Sequence, residues 1–570
     1  MISDALTALP WIAAVSWPML VAMGLASSRA RGVALALAPW AALPALVLAV
    51  AAPAPADLPW LLLGARFELD DIGRVFLMFT ATLWLSAGVY ARQYLDGAPA
   101  AHRFFAFFLV AMAGNVGLIA AGDAVLFYTC FALMSFASYG VIVHTGDREA
   151  LHAGRVYITL VIVGELLIFA GLLSWAGFTG GTRLIGWTAT AAQIPGPLVT
   201  GLLLVGFGIK AGAVPLHVWL PLAHPVAPTP ASAVLSGAMI KAGLLGWIRF
   251  LPLGEAASPD LAFWCMAGGL GAAFGGAVAG VLQDNPKVTL AYSSISQMGL
   301  MTVAIGAGLA APEAWPLLLP AVVLYATHHA LAKGALFLGA GIAQHPGRSA
   351  GARRAMTAGL VLPALAIAGA PFTSGALAKL ALKDALPPVG GALALLLSIA
   401  AIGSTLLMVR FVSLALASGV GSRSGARAGM WIPWALLTTA GAVLALGPRG
   451  IAGLPEMAPS LEPGVIWSLS WPVAAGLVLY WTARRLWPRA RSEPRVPPGD
   501  VLWVATRPFA TFRVPVAGAR TSPALPGAVM EPLARAWSEL TSLEKGLTRW
   551  YTTGLALLLL LVALTMVVGR

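Results

Sequence analysis

Apolar runs of about twenty residues follow one another along almost the whole of this 570-residue chain. A helix of about 20 predominantly apolar residues crosses the hydrocarbon core of a bilayer, and a soluble core cannot bury so many runs of this kind. The mean hydropathy of +0.85 and the 10% share of charged residues agree with this. The sequence therefore predicts an all-α, polytopic membrane protein of about 14–16 transmembrane helices. The runs lie near residues 8–27, 32–52, 72–91, 104–121, 124–143, 156–178, 196–216, 230–251, 259–282, 290–309, 315–342, 356–386, 389–417, 431–447, 465–483 and 550–569.

Basic residues divide the connections between these runs into two alternating sets. Cytoplasmic connections of membrane proteins are enriched in Lys and Arg, so the richer set predicts the cytoplasmic side. This orientation places both termini on the non-cytoplasmic side of the cell inner membrane. The formal net charge of +13 follows from the same asymmetry, and the scatter of basic residues over many loops argues against nucleic-acid binding. The richer connections carry Arg29 and Arg31, Arg92 and Arg103, Arg148 and Arg155, Lys287, Arg348 with Arg353 and Arg354, Arg423 with Arg427, and Arg484 onwards.

Five of the seven lysines lie in or at the edge of an apolar run, whereas almost every arginine lies in a connection. A lysine at the centre of a spanning helix costs roughly 2.5–3.5 kcal/mol unless its ammonium group finds a partner or water. Residues kept at this depth usually mark an ion or proton path. Lysine suits proton transfer better than arginine, because desolvation brings the lysine pKa towards neutrality while a guanidinium stays charged. The five lysines are Lys210, Lys241, Lys333, Lys379 and Lys383.

Glycine and proline interrupt two of the runs beside a lysine. Broken helices free backbone groups at mid-membrane depth, which is tolerated only beside a cavity or within protein. Interruptions five runs apart predict two inverted five-helix repeats, with the seventh and twelfth helices broken. Ordinary Gly/Pro kinking is the alternative, and the lysines favour a transport role over it. The interrupting residues are Gly208, Gly212, Pro215 and Pro221 around Lys210, and Gly369, Pro371 and Gly375 before Lys379.

The long polar connection near the C-terminus has two halves. Its first half is rich in proline, which is typical of an extended linker. From Met530, apolar residues recur at helical spacing, which predicts an amphipathic helix that rests on lipid headgroups, packs on its own bundle or docks a partner subunit. The predicted parts are N-terminal helices 1–3 (1–103), a first five-helix repeat (104–251), a second repeat (259–417), two further helices (431–483), a cytoplasmic linker with the amphipathic helix (484–549) and a last transmembrane helix (550–570).

Four stretches carry a family resemblance: KAGAVPLHVWLPLAHPVAPTPASAVLSGAMIKAG (210–243), QDNPKVTLAYSSISQMG (283–299), HHALAKGALFLGAG (328–341) and PFTSGALAK (371–379). They resemble the proton-conducting antiporter-like subunits of respiratory complex I, Mrp-type cation/proton antiporters and membrane-bound hydrogenases such as formate hydrogenlyase. The resemblance covers roughly residues 70–420. The LPLAHP wording and the long basic connection before the last run favour the hydrogenase-type branch.

The resemblance implies a lateral row of protonatable side chains at mid-membrane depth, connected by water and reached by half-channels from both sides. From the residues themselves, His329 and Lys333 share one helix face at i, i+4, while His328 points elsewhere, and a row of amines and imidazoles can pass protons. The residues that match the family's relay are Lys210 of the broken seventh helix, Lys241 of the eighth, His329 with Lys333 of the eleventh, and Lys379 of the broken twelfth.

Cysteine usage argues against a redox centre in this chain. Cys130 and Cys265 each stand alone in an apolar run without a CxxC pattern, so we expect buried packing and no metal or cofactor site. The resemblance implies that electrons move in other subunits. The expected partners are other integral membrane subunits and a peripheral redox arm of hydrogenase, formate dehydrogenase or NADH dehydrogenase type.

One departure from the family pattern concerns the fifth helix. The family normally carries a glutamate there, but the matching stretch FALMSFASYG has Ala132 at that position. Glu165 is the acidic residue that lies deep in an apolar run, and it matches a position where some members carry Asp. We hypothesise that Glu165 supplies the carboxylate that controls the proton affinity of Lys210. The alternative is that Glu165 pairs with Arg155 or faces a water cavity, and only holds helices together.

Other polar residues have two explanations each. Asp123 either caps the fifth helix or lines an access channel. His217 and His224 flank the broken seventh helix, either in a solvated turn or at a point of proton uptake. The serines and Gln297 of the tenth run either bond helices to one another or support a water wire. His328 lines the relay, with or without exchanging protons itself.

Three function classes remain open. The preferred one is a proton-conducting subunit of a redox-driven pump, which leaves undecided whether the chain itself counts as an enzyme. An Mrp-type cation/proton antiporter subunit is the second, although the few intramembrane carboxylates offer no evident sodium site. A homologue that has lost conduction is the third; Ala132 permits it, but the row of lysines argues against it. Co-purifying subunits would discriminate among the three.

Overall fold

A computed structural model describes residues 2–486 and 496–499, except positions 63, 185–186, 188–196, 348, 387–388, 390 and 421–424. Two three-residue strands, β1 (Ala56–Leu58) and β2 (Ala65–Phe67), pair with each other. Short 3-10 turns, at Ala38–Trp40, Leu216–Val218 and Pro312–Ala314, adjoin the helices. The helices are α1 (Ile2–Ala26), α2 (Arg31–Leu37), α3 (Leu43–Ala51), α4 (Asp71–Tyr94), α5 (Ala101–Ile119), α6 (Ala124–Ile142), α7 (Arg148–Thr179), α8 (Leu198–Ala211), α9 (Trp219–Val226), α10 (Thr229–Val234), α11 (Ile240–Phe250), α12 (Pro259–Val281), α13 (Pro286–Ala310), α14 (Trp315–Ala343), α15 (Ala350–Ala368), α16 (Ser374–Ala385), α17 (Gly391–Ser418), α18 (Ala428–Leu444) and α19 (Pro463–Leu486).

The chain divides into two units. The first comprises Met1–Asp57 and Arg66–Trp503 and contains all the helices named above. The second comprises Leu58–Ala65 and Val504–Arg570, of which the structure describes 58–62 and 64–65. The predicted amphipathic helix from Met530 and the last transmembrane helix therefore lie outside the described residues, as does most of the connection before them.

The all-α membrane fold predicted from the sequence is confirmed. In the part of the chain that the structure describes, 13 helical segments are long and apolar enough to cross a membrane. Each of the first fifteen apolar runs contains a helix or consecutive helical pieces. The inverted relation of the two repeats, and the part boundaries drawn from it, stay predictions.

Three spans are enclosed by the rest of the protein, whereas others present a large face outwards. The most apolar stretch is 100% buried in Thr229–Phe250, Pro286–Ala310 and Pro312–Ala343, but only 17% buried in Pro463–Leu486. Ionisable groups in a membrane almost always face protein or water-filled space. The enclosed spans can therefore carry buried ionisable groups on any face, whereas the other spans can carry them only on the faces that pack against protein.

Two spans are broken where glycine and proline predict it. Helix α8 ends where Gly212 adopts a φ of 75°, in the left-handed region that favours glycine. Helix α15 ends where Gly369 does the same with a φ of 84°. The chain resumes as α16 behind Thr373, whose hydroxyl accepts a hydrogen bond from the amide of Ala376 (3.3 Å). Each break thus lies close to one lysine, Lys210 before the first break and Lys379 after the second.

Candidate functional site

Tyr157, Glu165 and Lys210 form a buried group at the first break, which we call the first-break cluster. Lys210 lies in the last turn of α8, while Tyr157 and Glu165 lie eight residues apart on α7, which packs against α8. Lys210 Nζ donates a hydrogen bond to the Tyr157 hydroxyl (3.0 Å), and this hydroxyl donates to the carbonyl oxygen of Ser135 on α6 (2.8 Å). Three helices thus converge on one amine.

Glu165 and Lys210 line the same small cavity, together with Tyr157 and Ser135. The cavity offers about 10 Å³ to the centre of a water molecule, which is close to the space that one water needs. Glu165 Oε2 is buried and has no hydrogen-bond partner among the described residues. The cavity is lined mainly by apolar side chains, and Glu165, Lys210, Tyr157 and Ser135 are the polar exceptions. Its size gives room for one water molecule beside the unpaired carboxyl oxygen. Glu165 and Lys210 thus share a cavity, and proton exchange between them stays a prediction.

Helical spacing rules out one alternative for Glu165. Arg155 precedes it by ten residues on α7, a distance of about 15 Å along the helix axis, which is beyond the reach of an ion pair. Ala132 lies on α6 between Phe131 and Ser135, which both line the cavity. The carboxyl group therefore reaches this cavity from α7, whereas the family pattern would supply it from α6.

Lys241, His329 and Lys333 form a second group, the central cluster, inside the enclosed spans. Lys241 Nζ on α11 and His329 Nδ1 on α14 lie 2.5 Å apart, and either atom can hold the shared proton. Lys241 Nζ also donates to the carbonyl oxygen of Ser236 (2.7 Å). Ser236 belongs to a π-helical turn, Leu235–Met239, between α10 and α11. Such turns are frequent at functional sites, and the apolar run itself gave no sign of this one.

Lys333 extends the central cluster from α14 to α13. It lies one turn beyond His329, and its Nζ donates to the carbonyl oxygen of Leu290 (2.7 Å) and to Ser293 Oγ (2.6 Å). His329 and Lys333 are 0% exposed, and Lys241 is 1% exposed. Bulk solvent therefore does not screen these groups, and their interactions with one another are strong.

His328, Ser374 and Lys379 form the second-break cluster. Lys379 on α16 reaches back across the break, and its Nζ donates to the carbonyl oxygens of Ile367 (3.0 Å) and Ala368 (2.8 Å) in the last turn of α15. His328 Nδ1 lies 2.9 Å from the hydroxyl of Ser374, the first residue of α16. His328 thus contacts the second break, while its neighbour His329 contacts Lys241.

Asp123 has the geometry of a helix cap. Its Oδ1 accepts the amide hydrogen of Leu126 (2.9 Å), which caps α6, and its Oδ2 accepts the amide hydrogen of Arg66 (2.8 Å). Both carboxylate oxygens therefore have backbone partners. This arrangement favours the capping explanation over the access-channel one.

The structure adds Tyr157 to the polar residues that the sequence singled out, and it shows that Lys287 and His224 are buried. Tyr157 bonds Lys210, as described above. Lys287 is not a loop residue: it lies at the start of α13, is only 8% exposed, and its Nζ donates to the carbonyl oxygen of Ala227 (2.7 Å). His224 is fully buried rather than in a solvated turn. The pair Asn285 and Pro286 is a helix-start signal that could have placed Lys287 inside the span.

The described site is rich in amines and poor in carboxyl groups. Its buried lysines are Lys210, Lys241, Lys287, Lys333 and Lys379, and the buried acidic residues are Asp123 and Glu165. Since Asp123 is used by backbone amides, a single carboxyl group faces five amines. A low-dielectric interior does not tolerate five unpaired ammonium groups, so we expect most of these amines to be neutral or in contact with water.

The three clusters are neighbours that no direct hydrogen bond joins, within the residues that the structure describes. A continuous path along the row therefore requires water or side-chain movement, and the relay stays a prediction. In the same described part, no group of three or more His, Cys, Asp or Glu residues is placed to hold a metal ion. Cys130 and Cys265 are buried free thiols, and Cys265 Sγ donates to the carbonyl oxygen of Thr302 (3.3 Å).

Comparison with protein families gives a match to the family described as NADH:quinone oxidoreductase/Mrp antiporter, transmembrane, over residues 121–418. This range covers more than half of the chain and includes all three clusters.

Two curated relatives illustrate the range of matches. The A/B subunit of a probable K(+)/H(+) antiporter of Rhizobium meliloti (strain 1021) is 32% identical over 56% of this chain and 33% of its own length. Hydrogenase-4 component B of Escherichia coli (strain K12) is 31% identical over 48% of this chain and 42% of its own length. The chain thus spans less than half the length of these two relatives.

Two solved structures share the fold over 98% of this chain. The Mrp complex from Dietzia sp. DQ12-45-1b superposes with a TM-score of 0.70 at 22% identity, over 62% of the chain compared. The membrane-bound sulfane sulfur reductase, an archaeal respiratory membrane complex, superposes with a TM-score of 0.67 at 20% identity, over 100% of the chain compared.

Proposed function

Because this chain belongs to the NADH:quinone oxidoreductase/Mrp antiporter family, we propose that it is the proton-translocating membrane subunit of a multi-subunit, redox-driven pump of complex I or hydrogenase type. The observation that carries this proposal is the contact of 2.5 Å between Lys241 Nζ and His329 Nδ1 in the enclosed centre of the bundle. Two nitrogen bases at this distance share one proton, and neither can remain fully charged beside the other in a low-dielectric interior. The geometry of this pair therefore suits proton transfer between the two groups.

The relay runs along the three clusters. Lys210 passes its proton towards Lys241 and His329, Lys333 continues the row on α14, and Lys379 ends it at the second break. Amines and imidazoles suit this task because both gain and lose protons, while the row contains no fixed guanidinium. Water or side-chain movement bridges the steps that no hydrogen bond spans.

Glu165 acts as the control group of the first-break cluster. While it is anionic, its charge favours a protonated Lys210 across the shared cavity. When Glu165 takes up a proton or moves away, Lys210 loses this stabilisation and releases its own proton to the row. The unpaired Oε2 atom supports this role, because it leaves the carboxyl group an oxygen with which to take up a proton.

In this proposal, the chain works in a complex with other subunits. We expect additional integral membrane subunits and a peripheral redox arm, whose cofactors handle the electrons, so that this chain carries none. We expect its termini on the non-cytoplasmic side of the cell inner membrane, as the distribution of basic residues predicts. The hydrogenase-4 relative and the similarity to a respiratory membrane complex support this assignment.

A cation/proton antiporter subunit of Mrp type is the second candidate. The name of the Rhizobium relative and the fold of the Mrp complex favour it. Sodium and potassium ions prefer several oxygen ligands, whereas the described bundle offers the single carboxyl group of Glu165 among many amines. We therefore rank proton transfer above cation exchange.

Substitution of Glu165 by Gln tests the proposal in the complex purified through a tag on this chain and reconstituted into liposomes. Proton movement is followed with a pH-sensitive dye under a potassium diffusion potential, with and without sodium. We expect Glu165→Gln to lower proton flux about 100-fold, as loss of a positioned proton-transfer group does. Glu149→Gln is the matched control, because Glu149 is an exposed acid in the first turn of the same helix.

Three other results would lead to different conclusions. Unchanged flux in Glu165→Gln would remove Glu165 from the mechanism. Flux that requires sodium or potassium exchange would favour the antiporter. A wild-type complex without any proton flux would point to a homologue that has lost conduction.

A further inference from the structure

One fully buried histidine lies outside the three clusters. His224 is on α9, its side chain is 0% exposed, and its ring stacks on that of Phe337 with 4.7 Å between centroids and 24° between planes. Neither of its ring nitrogens has a hydrogen-bond partner among the described residues. Buried polar atoms without protein partners are normally satisfied by internal water. The position of His224 is therefore one where water is expected inside the bundle.

A buried amine bonds the backbone just after the helix that carries this histidine. Lys287 Nζ donates to the carbonyl oxygen of Ala227 (2.7 Å), the residue at which α9 ends. Ser232 on α10 donates its hydroxyl hydrogen to the backbone carbonyl of His224 (3.1 Å). These two bonds hold the end of α9 against α13 and α10, so that the imidazole keeps a defined position.

Both residues lie beside the Lys333 end of the central cluster. Phe337, on which His224 stacks, is one turn from Lys333 on α14. Lys287 is three residues before Leu290, whose carbonyl oxygen accepts the hydrogen bond of Lys333, a step of about 4.5 Å along α13. Lys287 is also the second residue of α13, at the helix end that follows one of the basic connections. Lys287 therefore lies nearest the protein surface, with 8% of its area exposed, whereas His224 and Lys333 are both 0% exposed.

We propose that His224 is a proton-carrying residue that links the protein surface beside Lys287 to Lys333. The inference rests on the proposed function and adds to it the place where protons are taken up. Imidazole accepts a proton on one ring nitrogen and gives up another from the opposite nitrogen, so that each transfer returns the ring to a neutral form. Water on the Lys287 side relays the incoming proton from the surface to one ring nitrogen. Water on the other side relays the outgoing proton to the free amine of Lys333, which becomes an ammonium group. The bond from Lys287 to Ala227 positions the end of α9 for this transfer.

The test uses the complete reconstituted complex and compares two histidine substitutions. His224→Phe keeps a ring that can stack on Phe337 but removes both nitrogens, and we expect it to lower proton flux about 100-fold. His144→Phe is the matched control, because His144 also packs on an aromatic ring, with 5.4 Å between its centroid and that of Phe104, yet lies in a connection away from the relay. It should conduct like the wild type.

Water access to His224 provides a second readout that does not depend on flux. In the wild-type complex, brief radiolysis generates hydroxyl radicals from nearby water, and mass spectrometry locates the oxidised side chains. We expect oxidation at His224 despite its complete burial. His224→Gln, which is smaller and polar, serves if the Phe variant fails to assemble, and it should lose flux equally.

The outcomes separate the two proposals. Wild-type flux together with unchanged flux in assembled His224 variants would overturn this inference alone, as would a His224 that stays unoxidised. A wild-type complex that conducts no protons would instead refute the proposed function, and the inference with it.

Discussion

The two broken spans hold their lysines with different kinds of partner. Lys210 precedes its break, and its amine bonds the hydroxyl of Tyr157 in a cavity that the carboxyl group of Glu165 also lines. Lys379 follows its break, and its amine bonds the backbone carbonyl oxygens of Ile367 and Ala368. Lys210 thus bonds a side chain of the neighbouring helix α7, whereas Lys379 on α16 bonds the backbone at the end of α15, on the other side of the same break.

This difference decides what each break can do. A carboxyl group changes its charge when it takes up a proton, while a backbone carbonyl does not. The end of α15 presents the negative end of a helix dipole, whose sign does not change with pH. Under the proposed function, the charge beside Lys210 therefore changes during turnover, whereas the surroundings of Lys379 stay constant. A lysine at a helix break is not by itself a switch; its partner makes it one.

Removal of each amine gives the largest expected contrast. We expect Lys210→Ala to assemble normally and to lose proton flux about 100-fold, because Tyr157 keeps its bond to Ser135. We expect Lys379→Ala to lose flux and also to lower the free energy of unfolding by about 1–3 kcal/mol, because two buried carbonyl oxygens lose their donor. Dye-based flux and thermal unfolding of the detergent-solubilised complex measure the two quantities. Equal thermal stability of both variants would remove the distinction between the breaks.

The sequence predicts the positions of the lysines and of the two breaks, but it does not predict the hydrogen-bond partners of the lysines. The lysines and both breaks follow from local sequence, because glycine, proline and a charged residue in an apolar run each carry their own signal. The partners depend on which helices pack together. Tyr157 and Lys210 are 53 residues apart, and Lys241 and His329 are 88 apart.

Two further features, the burial of Lys287 and the π-helical turn, are not predicted from the sequence for related reasons. Hydrophobicity alone begins the tenth run near residue 290 and leaves Lys287 in a connection, although the Asn-Pro pair before it starts a helix. The π-helical turn Leu235–Met239 is apolar like its surroundings, so only the structure reveals it. Hydrophobic periodicity describes one helix at a time and does not identify the neighbours.

Added methyl groups at two glycines probe how tightly each break is packed. A Cβ on Gly375 would lie 1.7 Å from the carbonyl oxygen of Ala366 and 2.9 Å from His328 Cε1, so Gly375→Ala must push the half-helices of the second break apart. We expect it to lower the free energy of unfolding by about 1–3 kcal/mol, as overpacking does. Gly208→Ala is the matched change at the first break, where the nearest atom would be 3.4 Å away on Trp247. It should leave thermal stability nearly unchanged, and a comparable loss there would contradict the difference in packing.

Removal of one hydroxyl group tests whether Tyr157 positions Lys210. We expect Tyr157→Phe to lower proton flux roughly fivefold, since a hydrogen bond of this kind contributes about 1 kcal/mol. Tyr90→Phe is the control, because the buried hydroxyl of Tyr90 also donates to a backbone carbonyl, that of Leu338 (3.0 Å), but bonds no amine. Both variants should lose similar thermal stability, while only Tyr157→Phe should lose flux. A Tyr157→Phe variant with wild-type flux would leave Glu165 as the controlling partner of Lys210.

The smallest expected effect concerns how the helices of the two clusters begin. Asp147 caps α7, and the hydrogen bond that its carboxyl group accepts from the amide of Ala150 lowers its pKa below the ordinary value of 3.8. The cap of α16 is the hydroxyl group of Thr373, which does not titrate in this range. A lowered pKa in the folded state stabilises α7 above pH 3.8, and this stabilisation disappears as the pH falls through the lowered value. Amide hydrogen exchange, corrected for its intrinsic pH dependence, measures how readily the first turn of each helix opens. In acid, the free energy of opening the first turn of α7 should fall by about 0.5 kcal/mol, because the cap is exposed. The first turn of α16 should not change. Asp147→Asn keeps the capping oxygen but cannot titrate, so its α7 should behave like α16. If acid changes the opening of α7 and α16 equally in the wild type, the two breaks differ only in the partners of their lysines and not in the caps of the adjoining helices.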